Sequence, residues 1–209
     1  MDDASEQGVR ARGSSPRKTA RTRGAIMRAA LDTFLQHGFQ ASSMSDIAAR
    51  AGIAKGTCYR YFTSKEVLFE AVLTEAVVAP IAELKARDPG QHETVKAFMT
   101  EVLLPFMRAF QDTERSMVAR LIMAEGERFP AVAASYARHV YRPFNDMVRD
   151  CARLALDKGE LRTPDLLEHP ELLTAPIWIG IVHNHILCPE DPIDIGTVFA
   201  LQLDMLFPG

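Results

Sequence analysis

The chain has no apolar run approaching the roughly 18 residues that suggest a membrane-spanning helix, so an integral membrane protein is not expected. Its first stretch, Met1 to Gly24, is basic but lacks the apolar segment that a secretory leader carries behind its charges. Cysteine is scarce and odd in number. Cys58, Cys151 and Cys188 stand far apart, which points to free thiols in a reducing cytoplasm rather than a disulfide framework. Catalytic signatures are missing too: there is no Gly-rich phosphate loop, no nucleophile elbow, no metal-ligand pair at helical spacing and no acid–base pair. His183, His185 and Cys188 have ligand chemistry, but spacings of two and five residues put them on different faces of a helix. No metal and no cofactor are expected. Cys58 is a poor redox switch, since its inferred position is buried and no resolving cysteine is near in sequence. Strand-like alternation is absent, and the fold class expected is all-α.

What is present is enough apolar material, 47% of 209 residues, to build a substantial core. The charge is unevenly spread. Up to Thr74 the chain has 11 Lys and Arg against seven acids, and beyond it 13 against 20. A basic head on an acidic body suits a polyanion-binding module joined to something that does not bind polyanions.

Residues 1–20 are rich in Ser, Gly, Arg and Gln and nearly free of large apolar side chains, and read as a disordered basic arm. Helical spacing then begins with Ile26, Ala30, Leu31, Phe34 and Leu35, and Gly38 is the natural stop. Ser43 and Asp46 are spaced as a capping box for a second short helix. Gly52 interrupts, a third helix runs from about Ala54 to Tyr61, and Ser64 caps a fourth. Longer helical segments follow: Thr94 to Gln111 with a kink or break at Pro105, Met117 to Gly126, and Ala131 to Lys158 kinked or restarted at Pro143. Two closing segments, Glu171 to Leu187 and Ile193 to Phe207, are apolar around most of their circumference and must be covered on more than one face.

The informative stretch is 45–62. Two short helices crossing at a tight turn need a small residue at the crossing and one tolerant of positive φ in the turn, which Ala48 and Gly52 supply. Ile47, Ala51, Ile53, Cys58 and Tyr61 are spaced to form their shared core. That leaves Lys55, Gly56, Thr57, Tyr59 and Arg60 outward, a mixed set of donors on a helix short enough to enter a major groove.

Residues from about Arg23 to Val72 closely resemble the DNA-binding domain of the tetracycline-repressor (TetR) family. The resemblance is carried by Ile26, Ala29, Ala30 and Phe34, then Gly38, Ser42-Ser43, Ile47-Ala48 and Ala51-Gly52. It continues through Gly56-Thr57, Tyr59, Phe62 and Ser64-Lys65-Glu66 to Leu68. It implies that Ser43, Thr57, Tyr59 and Lys65 hold phosphates, while Lys55, Gly56 and Arg60 face the groove and Lys55 or Arg60 reads bases. Two departures stand out: Cys58 replaces a larger apolar residue, and Ala54 replaces a common Ser cap. The arm carries Arg10, Arg12, Arg17, Lys18, Arg21 and Arg23, which read either as a minor-groove arm or as a solvated tail.

The architecture implied is an N-terminal helix-turn-helix domain over 21–68 and a larger helical effector-binding and dimerisation domain over 69–209. The expected partners are operator DNA, a second copy joined through the two C-terminal helices (about 171–187 and 193–207), and a small-molecule effector; no membrane is involved. A two-fold dimer calls for a palindromic operator. The Met- and Phe-rich central helices could line an effector pocket, with Phe106, Phe110, Met117, Leu121, Phe144 and Trp178 as candidates, or could be ordinary core. Among charged residues, Arg120, Glu125, Arg138 and Arg142 are placed on the right helices to meet a ligand. The function expected is a cytoplasmic, non-enzymatic repressor released by a small apolar or aromatic effector. The alternatives are a DNA-binding regulator with no small-molecule ligand, or an all-helical enzyme.

Overall fold

A computed structural model of the chain describes residues 15–207, and no strand occurs among them. The basic arm through residue 14, with Arg10 and Arg12, lies outside the described residues. The first helix, α1 (Pro16–His37), opens earlier than its apolar spacing suggests. Ser15 accepts the Lys18 N–H as an N-cap, and Pro16 supplies the φ that a first helical residue needs. Residues 16–20, expected in the arm, are therefore helical. Gly38 ends α1 at φ 80°, a backbone region that costs glycine little.

Helix α2 (Met44–Arg50) starts on the expected capping box. Ser43 accepts the Asp46 N–H while the Asp46 carboxylate takes the Ser43 N–H and hydroxyl. Gly52, at φ 67°, turns the chain into α3 (Lys55–Tyr61), whose N-cap Ala54 offers no side-chain acceptor. Helix α4 spans 65–85 as Lys65–Leu73, a wider turn at Thr74–Val78 and Ala79–Lys85. The boundary expected at 68/69 thus falls inside one continuous helix, which the head and the body share.

The body contains α5 (95–108), α6 (Glu114–Glu125), α7 (130–157), a short α8 (Asp165–Glu168), α9 (171–187) and α10 (Ile195–Leu206). Four helices share a local feature. Ala79, Leu104, Arg142 and Cys188 each donate to the carbonyl five residues back, and each immediately precedes a proline. A proline ring clashes with the carbonyl four residues earlier and cannot donate to it. Widening the preceding turn relieves that clash without breaking the helix at Pro80, Pro105 and Pro143, whereas α9 ends before Pro189. The disruptions expected at Pro105 and Pro143 take this form. Pro176 is handled differently: the Leu172 carbonyl, four residues earlier, accepts instead from the Gln202 side chain of α10.

Long-range caps lock the body. The Glu160 carboxylate accepts from Val95 N–H (2.7 and 2.9 Å) and Lys96 N–H (3.2 Å) at the start of α5. Asn184 bonds both the N–H and the C=O of Ile193, closing the loop between α9 and α10. The head docks through Phe39, which packs on Phe34, Phe69 and Phe129 with ring centroids 5.0, 5.9 and 5.7 Å away. Ion pairs Arg23–Glu75 and Arg28–Glu114 cross the same junction.

Candidate nucleic-acid interface and a buried cavity

The helix-turn-helix has a small core. Ile47, Ala48 and Cys58 are buried, and Ala51, Ile53 and Tyr61 pack half-buried against them. Burial pushes the Cys58 thiol pKa up, so the thiolate is disfavoured there. The turn is held by Ile53 N–H to Ala48 C=O at 3.0 Å and Gly52 N–H to Ala49 C=O at 3.1 Å. Arg50 ties this unit to α1, donating to Gln36 at 2.7 Å and lying 3.7 Å from Asp32.

On the outer face of α3, Lys55, Gly56, Tyr59 and Arg60 are exposed, with Thr57 half-buried beside them. Tyr59, a large aromatic, leaves 43% of its surface open. The Lys55 ammonium sits 5.9 Å from the Tyr59 ring, one turn away. Ser43 is exposed at the mouth of α2, its hydroxyl already engaged by Asp46, which draws the Asp46 pKa down. Lys65 is occupied as well. Its ammonium donates to the carbonyls of Phe39 (2.8 Å), Gln40 (2.9 Å) and Ser42 (3.4 Å) and lies 4.8 Å from the Phe39 ring centre. Those carbonyls, rather than a bound anion, offset a cation at a helix N-terminus in the free chain. Arg17, Lys18 and Arg21 are exposed on α1, while Arg23 is spent on Glu75 and the Phe62 ring.

The body holds a cavity of about 40 Å³ lined by α4, α5, α6, α7 and α9 together with Phe110, which follows α5. Phe106, Phe110, Phe144 and Trp178 line it; Met117 and Leu121 do not. Leu121 is fully buried in the core and Met117 packs half-buried against that core. Arg120, Glu125, Arg138 and Arg142 are also outside the lining. Five polar residues that sequence reasoning passed over take part: Arg115, Tyr136, Tyr141, Asn145 and Thr174. Asn145 and Arg115 are 3% and 7% exposed, and only tertiary packing makes them notable. Tyr136 meets Trp178 edge-on at 6.2 Å, and burial raises its phenol pKa, which keeps the hydroxyl neutral. Val77 and Ile81 bring α4 itself to the cavity wall. A separate cleft of about 580 Å³ lies between α1 and α4, with Arg21, Arg28, Glu75 and Glu114 among its walls.

Among the described residues, six of the nine large exposed apolar side chains lie on α9 and α10. Leu172, Ile179 and Ile186 recur every seventh residue, Leu187 follows, and Leu201 and Met205 are one turn apart. His183 is half-buried against Asn184, while His185 and Cys188 are exposed. Among the described residues, no helix is long and apolar enough to cross a membrane.

A three-helix head presenting an uncovered α3, carried on a larger helical body, defines a helix-turn-helix DNA-binding regulator. The model of bacterial regulatory proteins of the tetR family matches residues 26–72, and that of the C-terminal domain of AefR-like transcriptional repressors matches 97–172. The chain is 33% identical over 146 residues to the HTH-type transcriptional regulator UidR of Escherichia coli, covering 69% of this chain and 71% of that one. Among solved structures it is similar to Salmonella enterica GusR, with TM-score 0.66 and 25% identity over 94% of this chain and 98% of that chain. The SmeT–triclosan complex has TM-score 0.68 and 26% identity, over 89% and 90% of the two chains. The chain belongs to the TetR family of DNA-binding transcriptional regulators.

Proposed function

We propose that the chain is a homodimeric repressor that a small apolar or aromatic effector releases from a palindromic operator. The observation that carries this reading is the course of α4. It starts at the Ser64 cap against the reading head and reaches the cavity wall through Val77 and Ile81. Widening the cavity displaces α4, and with it the head. The wide turn at Thr74–Val78 lies between the two ends and is a natural place for the helix to yield.

Dimerisation is supported by the uncovered apolar stripe on α9 and α10. A monomer leaves Met205 82% exposed together with Ile179, Ile186, Leu187 and Leu201, and a patch of this kind marks an interaction surface. A two-fold axis through it sets two copies of α3 apart, and a spacing of roughly 34–36 Å suits successive major grooves. In each head Tyr59, Thr57, Ser43 and Lys65 position the backbone, while Lys55 and Arg60 read base edges next to Gly56. Lys65 does so while holding the 39–42 segment in place. Repression accords with SmeT, described as the repressor of a multidrug efflux pump of Stenotrophomonas maltophilia and solved with triclosan.

An effector must bind the released state better than the DNA-competent one, or it shifts nothing. The cavity's small volume, about 40 Å³, favours a second reading in which the chain answers to no small molecule. In vitro selection from a random DNA pool, with wild type and Tyr59→Ala side by side, tests the reading head. Enrichment of a palindrome by wild type, weakened about tenfold or more in the variant, is expected. Equal enrichment by both removes Tyr59 from the interface. Loss of operator binding with any cavity ligand decides between the two readings of regulation.

A further inference from the structure

We propose that the cavity, widened from its volume of about 40 Å³ as the effector reading requires, takes a small amphipathic carboxylate, its anionic end paired with Arg115 and its apolar body held by Phe110, Phe144 and Trp178. This rests on the effector reading above and gives that site its ligand class.

Arg115 is 7% exposed, lines the cavity and enters none of the ion pairs found among the described residues. Its Nε donates to the Thr113 hydroxyl at 3.0 Å, and its guanidinium lies 3.8 Å from the Phe106 ring centre. Those contacts occupy one of the five guanidinium N–H groups and one face; the other four have no acceptor among the described residues. Desolvation draws the Arg115 pKa down, and an anion beside the guanidinium would offset that cost. Its place in the fold makes matters worse. Arg115 is the second residue of α6, twelve residues long, at the end where the helix dipole is itself positive. A bound anion would relieve both penalties.

The other polar groups of the cavity are neutral and complementary to a carboxylate. The Asn145 Oδ1 is buried without a partner, and turning the amide over would present its N–H groups to a carboxylate instead. Tyr136 holds a neutral hydroxyl beside Trp178. A single guanidinium balances a single negative charge, which favours a carboxylate over a phosphate dianion. Apart from Tyr141 and Thr174, the remaining wall is Val77, Ile81, Val140 and Ile177 with the aromatics, which suits an apolar body.

Trp178 is the only tryptophan of the chain and lines the cavity, so its emission reports occupancy directly. The full-length protein is titrated near neutral pH with benzoate, phenylacetate, phenylpropionate and octanoate, each beside its uncharged primary amide. The expected result is that the acids bind about tenfold or more tightly than the amides. Arg115→Gln removes that preference and leaves amide binding as in wild type, and Arg115→Lys restores part of it. Equal binding of acid and amide by wild type overturns the carboxylate assignment while leaving the effector site standing. So does a preference that survives Arg115→Gln, or phenyl phosphate binding more tightly than phenylacetate. If neither acids nor amides bind, both the assignment and the effector reading fall. The wild-type comparison decides the matter even if Arg115→Gln fails to fold.

Discussion

Tyr59 and Lys65 belong to one sequence signature, yet their surroundings give them separable work. Tyr59 is exposed, with the Lys55 ammonium 5.9 Å from its ring. Tyr59→Ala is expected to change stability by no more than about 0.5 kcal/mol, as exposed substitutions usually do, while weakening DNA binding. Lys65 holds three carbonyls of the loop that sets α2 against α1. Lys65→Met is expected to cost about 1–3 kcal/mol by leaving those carbonyls short of a donor, and to weaken DNA binding as well. Urea denaturation beside fluorescence-anisotropy titrations separates the two effects. A Lys65→Met protein as stable as wild type would return Lys65 to a purely phosphate-holding part. The outward set on α3 was legible in the sequence because a seven-residue helix with one buried face leaves few choices. Arg115 was not, because an arginine at a helix start normally points to water. Only the packing of α5, α7 and α9 around it changes its meaning.

At the scale of the element, capping decides where helices begin. Ser43 and Ser64 were legible as caps because their partners are local in sequence. The Glu160 cap on Val95 spans 65 residues and leaves no local trace. The wide turns before Pro80, Pro105, Pro143 and Pro189 were visible at best as kinks. The rule that proline disfavours a regular turn does not say whether the helix breaks or widens.

The Ser43–Asp46 box gives a prediction with a pH signature. Ser43→Ala is expected to destabilise the chain by about 1 kcal/mol near neutral pH. Ser43 holds the Asp46 carboxyl below its ordinary value of 3.8. A depressed folded-state pKa gives stability that is present above that ordinary value and lost as pH falls through the depressed one. The gap between wild type and Ser43→Ala therefore narrows in acid. Thermal melts across pH check this, and a gap that widens below pH 3.8 would contradict it.

For the whole molecule, the order of helices and their approximate ends could be read from apolar spacing and breakers, and so could the double-sided apolarity of α9 and α10. The short α8 and the contribution of α4 to the cavity could not, since both depend on which helices pack together. In the proposed mechanism, the body is also the route by which the cavity reaches the head. One helix belongs to both, and Phe39 seats the head on Phe129, which lies between α6 and α7.

The proposed dimer makes the most direct test. Ile179→Glu with Met205→Glu puts charges where both side chains now face solvent, at 60% and 82% exposure, so the protomer fold should survive. Sedimentation and binding to the selected palindrome are measured together for this variant and for wild type. A dimeric wild type and a folded, monomeric variant whose palindrome affinity falls by about tenfold or more are expected, since losing the second head removes half of the contacts. A variant that remains dimeric, or a monomer that binds the palindrome as tightly as wild type, would contradict the paired reading heads.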